Sequence, residues 1–230
     1  TGLTRVDYRI TDRWADPEGQ TEKWHTEVLK RFDSGFLCYS LLGEGAPPVV
    51  NLPAKQGENS VCFGSFNAYT KISPDLLALW AEILNRVPGS NLLLKATPFV
   101  ELLMKEKVWA FFEEKGIKRQ RIELIGRVAN KNDHLGLYSK VDIHLDSYPY
   151  NGTTTTCQSL WMGVPTVAFT GDLHASRVSA SILHRVGLDD FVADDVEGYI
   201  ETAVKMAGQV DYLSELKVTL RDRMLKSDLC

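Results

Sequence analysis

Little in this chain points to a membrane, to nucleic acid or to a bound metal. No apolar run approaches the roughly 20 residues that a transmembrane helix needs. The polar opening, residues 1–12, carries no signal-peptide pattern. Acidic residues outnumber basic ones, 30 to 26, which argues against binding nucleic acid through bulk charge. The four cysteines, Cys38, Cys62, Cys157 and Cys230, are scattered; they show neither zinc spacing nor the density of a secreted disulfide scaffold. A reducing, cytosolic setting is the expectation. Glycine-rich dinucleotide fingerprints, Walker loops, nucleophile elbows and kinase signatures are missing, so covalent catalysis has no candidate. Asp142 and Asp146 share a strand face by alternation, yet four residues of strand separate them by about 13 Å, too far to share one ion. Opening on Thr1 and stopping at Cys230, the sequence reads as a piece of a longer protein.

What is present is a regular alternation. Short apolar runs at 61–66, 91–96, 121–128, 141–146 and 164–169 read as strands, with a sixth short one near 191–192. Between and after them lie helical patterns at 74–87, 101–115, near 133, 153–163, 175–186, 196–207 and 212–226. Ser73 and Pro74 supply an N-cap and a first helical residue, and Pro88-Gly89 supplies the stop. Strands that are apolar on both faces, each followed by a helix, predict an α/β fold: a Rossmann-like, doubly wound parallel sheet over 61–230. Ligands of such sheets sit at the carboxyl ends of the strands, which selects the loops 67–72, 97–100, 129–134 and 147–154. Residues 1–60 differ. They offer a strand at 8–11, a helix at 22–32, and loop-like stretches at 43–48 and 54–60, with too few apolar residues for a core of their own. They read as the end of a preceding domain plus a linker.

The loop at 148–157, Tyr-Pro-Tyr-Asn-Gly-Thr-Thr-Thr-Thr-Cys, joins the strand at 141–146 to a helix. The first amides of a helix are unpaired and its dipole favours an anion. Gly152 would let a phosphate approach the backbone, and Thr153, Thr154, Thr155 and Thr156 would add hydroxyl donors. One threonine would suffice as a cap, so four point to an anion site, although the loop alone does not name the ligand. Lys71, in the loop before the Ser73-Pro74 helix, could meet a diphosphate as a point charge; without that partner it would be a solvated loop lysine. His134 should face the same crevice. His174 and Arg177 precede a helix, where surface placement is expected.

Phe63-Gly64-Ser65-Phe66-Asn67 with Lys71-Ile72, the stretch 128–134, and 145–165 resemble the C-terminal half of the O-GlcNAc transferase/SPINDLY glycosyltransferases. Asp7-Tyr8-Arg9-Ile10-Thr11-Asp12 resembles the segment closing that family's N-terminal catalytic lobe. The four-threonine run followed by Met162-Gly163-Val164-Pro165 is most similar to the SPINDLY branch. The resemblance implies the C-terminal lobe of a GT-B enzyme. Its activity would be an inverting, metal-independent transfer of one sugar to Ser or Thr of a protein, with tetratricopeptide repeats upstream to bind the acceptor. Carried over by position, Lys71 would stabilise the departing diphosphate, Ala129, Lys131 and His134 would line the base and ribose pocket, and Thr154 and Thr155 would hold the phosphates. No cofactor is implied; the donor substrate would be UDP-GlcNAc or GDP-fucose. Three positions depart from the O-GlcNAc transferase pattern: Ala68 for Gln, Thr153 for His and Gln158 for Asp. The second moves toward the pattern that goes with GDP-fucose, and the third removes a carboxylate expected at the ribose. Because the family's N-terminal histidines lie outside these residues, the fragment alone is expected to bind nucleotide without turnover. Two other readings of the residues compete: a sugar-nucleotide 2-epimerase of the same two-lobe architecture, and a non-catalytic flavodoxin-like or nucleotide-sensing module.

Overall fold

A computed structural model describes residues 3–41, 45–50 and 61–230. Its centre is a six-stranded sheet of β3 (Cys62–Ser65), β4 (Asn91–Lys95), β5 (Ile122–Ile125), β6 (Ile143–Leu145), β7 (Thr166–Phe169) and β8 (Val192–Ala193). All its pairings are parallel and the order across it is β5-β4-β3-β6-β7-β8. Counted from β3, that is the doubly wound order 3-2-1-4-5-6, not the 2-1-3-4-5 of a flavodoxin. The switch point lies between β3 and β6, so the loops leaving those two strands border one crevice.

The strands are buried on both faces because helices cover both. Phe63, Leu92, Leu94, Ile143 and Val167 pack with Trp80 and Ile83 of α1 (Pro74–Arg86), Phe112 of α2 (Leu102–Glu114) and Tyr199 and Ala203 of α6 (Val196–Ala207). On the other face a smaller cluster joins Phe66, Leu93, Tyr138, Val141 and Met162. Ser73 caps α1 as its sequence predicts, accepting from the Leu76 amide at 3.1 Å. The remaining helices are α3 (Lys131–Gly136), α4 (Thr154–Trp161), α5 (Val178–Arg185) and α7 (Val210–Lys226). Gly163 ends the α4 segment at φ +75, where a Cβ would lie 2.2 Å from the Lys217 carbonyl oxygen, so only glycine lets α7 pack there.

The first fifty residues bring two corrections. The stretch expected as a helix at 22–32 is a single 3-10 turn, Glu22–Trp24, followed by β2 (Val28–Arg31). β2 pairs in parallel with β1 (Tyr8–Thr11), Tyr8 against Val28 and Thr11 against Arg31. Trp24, Val28 and Phe32 recur every fourth residue, which mimics a helical stripe; all three are exposed instead. Pairing overrides the pattern: the Val28 and Phe32 amides donate to Asp7 and Thr11 carbonyls, each at 2.9 Å. The second correction concerns His174 and Arg177, expected on the surface. Both are half-buried against the N-terminal segment, His174 Nδ1 2.7 Å from Asp16 Oδ2 and Arg177 Nε donating to the Trp14 carbonyl at 3.0 Å. The helix after them begins a turn later than expected, at Val178. Residues 45–50 have no helix or strand; the rest of the expected loops, 43–44 and 54–60, lies outside the described residues. No helix among the described residues is long and apolar enough to cross a membrane.

Candidate functional site

Two short exits from the sheet build the site. β3 ends at Ser65, and Phe66 and Asn67 lead to a 3-10 turn, Tyr69–Lys71, that carries Lys71 at its end. β6 ends at Leu145, and 146–153 lead to α4. Buried His144 locks the two exits side by side: its Nε2 accepts from the Phe66 amide at 3.3 Å, and burial lowers its pKa to about 3, so the ring is neutral.

Lys71 reaches across the switch point. Its Nζ donates to the Asn151 carbonyl at 3.0 Å and stands 4.1 Å from the centroid of the Tyr150 ring, a cation–π geometry. Burial lowers its pKa, and the charge of Asp146 opposes that shift. Thr153 occupies the N-cap of α4 without a side-chain cap bond, leaving the first-turn amides uncapped by it. The four threonines divide the work. Thr154 is exposed, while Thr155 Oγ1 donates to Asn67 Oδ1 at 2.5 Å. Buried Thr156 donates to the Gly152 carbonyl at 2.8 Å and lies 2.9 Å from Ser179 Oγ. Gly152 serves the protein's own packing. A Cβ there would fall 2.1 Å from Thr155 Oγ1 and 2.6 Å from Asn67 Oδ1, and its amide donates to Asp146 Oδ1 at 2.8 Å.

The third wall comes from α3, capped by Asn130. His134 Nε2 lies 3.0 Å from Gln158 Oε1 on α4, which makes Nε2 the protonated nitrogen and leaves the buried Nδ1 as an acceptor without a partner. Burial lowers the His134 pKa, more than the Gln158 hydrogen bond raises it. Tyr138 closes the floor, donating to the Thr155 carbonyl at 3.2 Å and packing on Phe66. Ala129 lies just before α3 and Lys131 opens it; both are exposed. His134 touches Gln158 directly and reaches Thr155 through Tyr138, while Lys71 meets the loop before α4 at the Asn151 carbonyl; Thr154 is exposed and Thr153 is half-buried. Asp142 donates nothing to this place: its Oδ2 accepts from the Cys62 amide at 2.8 Å, at the opposite end of β3. No group of three or more His, Cys, Asp or Glu residues that could hold a metal occurs among the described residues.

Asn67, Asn151, Tyr138 and Tyr150 are site residues that the sequence reading leaves unassigned, and Asp146 it weighs only as a metal ligand. Their signal is positional: Asn67 and Asp146 are the first polar residues beyond the ends of the two switch-point strands.

The model of glycosyl transferase family 41 matches residues 48–230. The chain belongs to that family. The probable UDP-N-acetylglucosamine--peptide N-acetylglucosaminyltransferase SPINDLY of Solanum lycopersicum is 44% identical over all 230 residues, which are 24% of its length. The UDP-N-acetylglucosamine--peptide N-acetylglucosaminyltransferase of Caenorhabditis elegans is 32% identical over 70% of this chain and 14% of its own. The K341M mutant of Thermobaculum terrenum O-GlcNAc transferase superposes with a TM-score of 0.82 and 30% identity, covering 97% of this chain and 42% of that one. The higher identity to SPINDLY agrees with the four-threonine loop, and the superposition agrees with the Rossmann-like fold of a GT-B glycosyltransferase. The chain spans about a quarter of the length of the SPINDLY relatives.

Proposed function

We propose that this chain is the donor-binding part of an inverting, metal-independent protein O-glycosyltransferase. The observation that carries the reading is the meeting of Lys71 with the N-terminus of α4 across the β3/β6 switch point. A sugar nucleotide would place its diphosphate there. Uncapped first-turn amides and the hydroxyl of Thr154 would face the phosphate oxygens, with Lys71 as counter-charge. The base and ribose would lie toward Ala129, Lys131 and His134, whose unpartnered Nδ1 accepts a hydrogen bond from a base or a hydroxyl.

The chemistry follows from where charge develops. A serine or threonine oxygen of the acceptor attacks the anomeric carbon, the bond from that carbon to the diphosphate oxygen breaks, and negative charge accumulates on the leaving diphosphate. Fixed amide dipoles and a lysine, already oriented, stabilise that charge more than they stabilise the intact donor. The acceptor and the base that takes its proton would come from the N-terminal lobe and upstream repeats, of which β1 and β2 are the closing strands. Support for that placement is the exposed apolar surface of the pair at Tyr8, Ile10 and Val28, unusual for parallel strands. The donor is UDP-GlcNAc or GDP-fucose. The names of the relatives favour the first, and the Thr153 departure favours the second.

Calorimetry with UDP and GDP tests the reading. We expect one of them to bind, and Lys71→Ala and Thr154→Ala each to weaken it, the lysine variant by about tenfold or more through loss of a charge-assisted contact. Binding of neither nucleotide would sink the assignment, and a clear preference selects the sugar. In a radiolabelled-donor assay the 230-residue chain alone should give no transfer to a peptide.

A further inference from the structure

One buried carboxylate lies between the two loops and has no role in the chemistry above. Asp146 follows β6 directly and is 1% exposed. Its Oδ1 accepts three hydrogen bonds, from the Ser147 amide at 2.8 Å, the Gly152 amide at 2.8 Å and Asn67 Nδ2 at 3.1 Å. The first two bend the β6 exit into the loop that opens α4. The third crosses to the β3 exit, where the other end of the same Asn67 amide accepts from Thr155 Oγ1 on α4. One oxygen therefore ties both sides of the switch point together. The second oxygen, Oδ2, is buried and makes no well-formed hydrogen bond; the Ser179 hydroxyl beside the carboxylate donates to the Gly152 carbonyl at 2.8 Å. Lys71 lies within the field of this carboxylate from the 69–71 turn. From α6, Tyr199 reaches only its backbone carbonyl, at 3.1 Å.

We propose that Asp146 is the positioning residue of the site: its carboxylate joins the loop leaving β3, which carries Lys71, to the loop leaving β6, whose Asn151 carbonyl accepts from the Lys71 ammonium. This rests on the reading of that crevice as a diphosphate site. A negative charge beneath an anion site is a poor choice for a group that only needs to stabilise the fold. An asparagine would make the same three bonds on Oδ1 and place its amide where Oδ2 now makes no well-formed hydrogen bond. The burial cost of the charge agrees: desolvation raises the Asp146 pKa to about 6, against the hydrogen bonds that lower it. What the aspartate supplies and the asparagine cannot is a negative charge whose field raises the Lys71 pKa against its burial. Asp146 touches no reacting atom; it acts through Lys71 and the loop.

The variant Asp146→Asn separates the two roles, with Asp146→Ala as the variant that removes the bonds as well. For Asp146→Asn we expect a melting temperature equal to or above that of the parent. We also expect a fall of about tenfold in affinity for the nucleotide that the parent binds, and in kcat of the intact protein. Titration of the 13C-dimethylated Lys71 amine by NMR should move to lower pH. Asp146→Ala should lose both stability and binding. An Asp146→Asn variant that melts lower, or that binds nucleotide as tightly as the parent with Lys71 titrating unchanged, overturns the proposal. If the parent binds neither UDP nor GDP, the diphosphate reading fails, while the Lys71 titration still decides whether Asp146 positions that lysine.

Discussion

Asp16 and Asp146 are both buried, but their surroundings drive their acidities apart. Burial raises the pKa of each. At Asp16, hydrogen bonds from His174 and Thr11 and the nearby charges of His174 and His25 outweigh that and hold the carboxyl well below the usual carboxylate range. At Asp146 the donors are neutral and the shift stays upward, to about 6. The consequences for stability have opposite sign. The ionised Asp16 contributes stability that is present above the ordinary carboxylate pKa and lost as the pH falls below it. Asp146 binds its proton more tightly folded than unfolded, so its contribution declines as the pH rises from about 4 to about 6. Thermal melts across the acid range should therefore show Asp16→Asn flattening the loss at the lowest pH, and Asp146→Asn flattening the decline between about 4 and 6. Side chains such as these were beyond the reach of sequence reasoning. The threonines and Lys71 announce themselves by type and by position next to a helix start. An Asp at a strand end looks the same whether it binds metal, caps a turn or joins two loops, and only the positions of Asn67 and Gly152 decide.

Helices and the central strands follow from local rules, which is why they were legible. The Ser73-Pro74 start of α1, the apolar runs of β3 to β7 and the Asn130 cap of α3 each satisfy a local preference that the fold also satisfies. Ser73→Ala should cost about 1 kcal/mol in chemical denaturation, the usual worth of an N-cap. β2 was illegible because its fourfold apolar spacing serves an exposed ribbon, and what makes it a strand is β1, twenty residues earlier in the chain. The α4 entrance shows the same non-local control in reverse. Gly152→Ala puts a methyl group into Thr155 Oγ1 and Asn67 Oδ1, and should destabilise by roughly 1–3 kcal/mol while weakening nucleotide binding, because the loop must open to admit it. Glycine is required there by its neighbours inside the protein.

Across the molecule, the N-terminal segment is seated by buried polar contacts. Asp12 takes the Trp14 and Ala15 amides on Oδ1, and the Ser181 hydroxyl at 2.6 Å and the Arg185 guanidinium on Oδ2. Arg185 fills the space beside Gly35, whose φ of +87 and absent Cβ leave it room. Asp12→Ala would strand a buried guanidinium whose Nε and Nη1 already lack partners, at a cost of roughly 3–5 kcal/mol. Hydrogen exchange should then show Tyr8–Thr11 losing protection while β3 to β7 keep theirs. The switch-point order carries one more implication, for folding. Lys71 and Asn151 are 80 residues apart in sequence, and Asn67 and Thr155 are 88 apart. Two whole strand–helix units, through β4 and β5, intervene, so the loop that must close before the crevice exists is among the long closures in this sheet. A chain still emerging from synthesis, with α4 not yet made, has only half of the crevice. On the proposed reading, ligand capture would come late in the life of each molecule, and an occupied crevice would report that the central strand pair has formed.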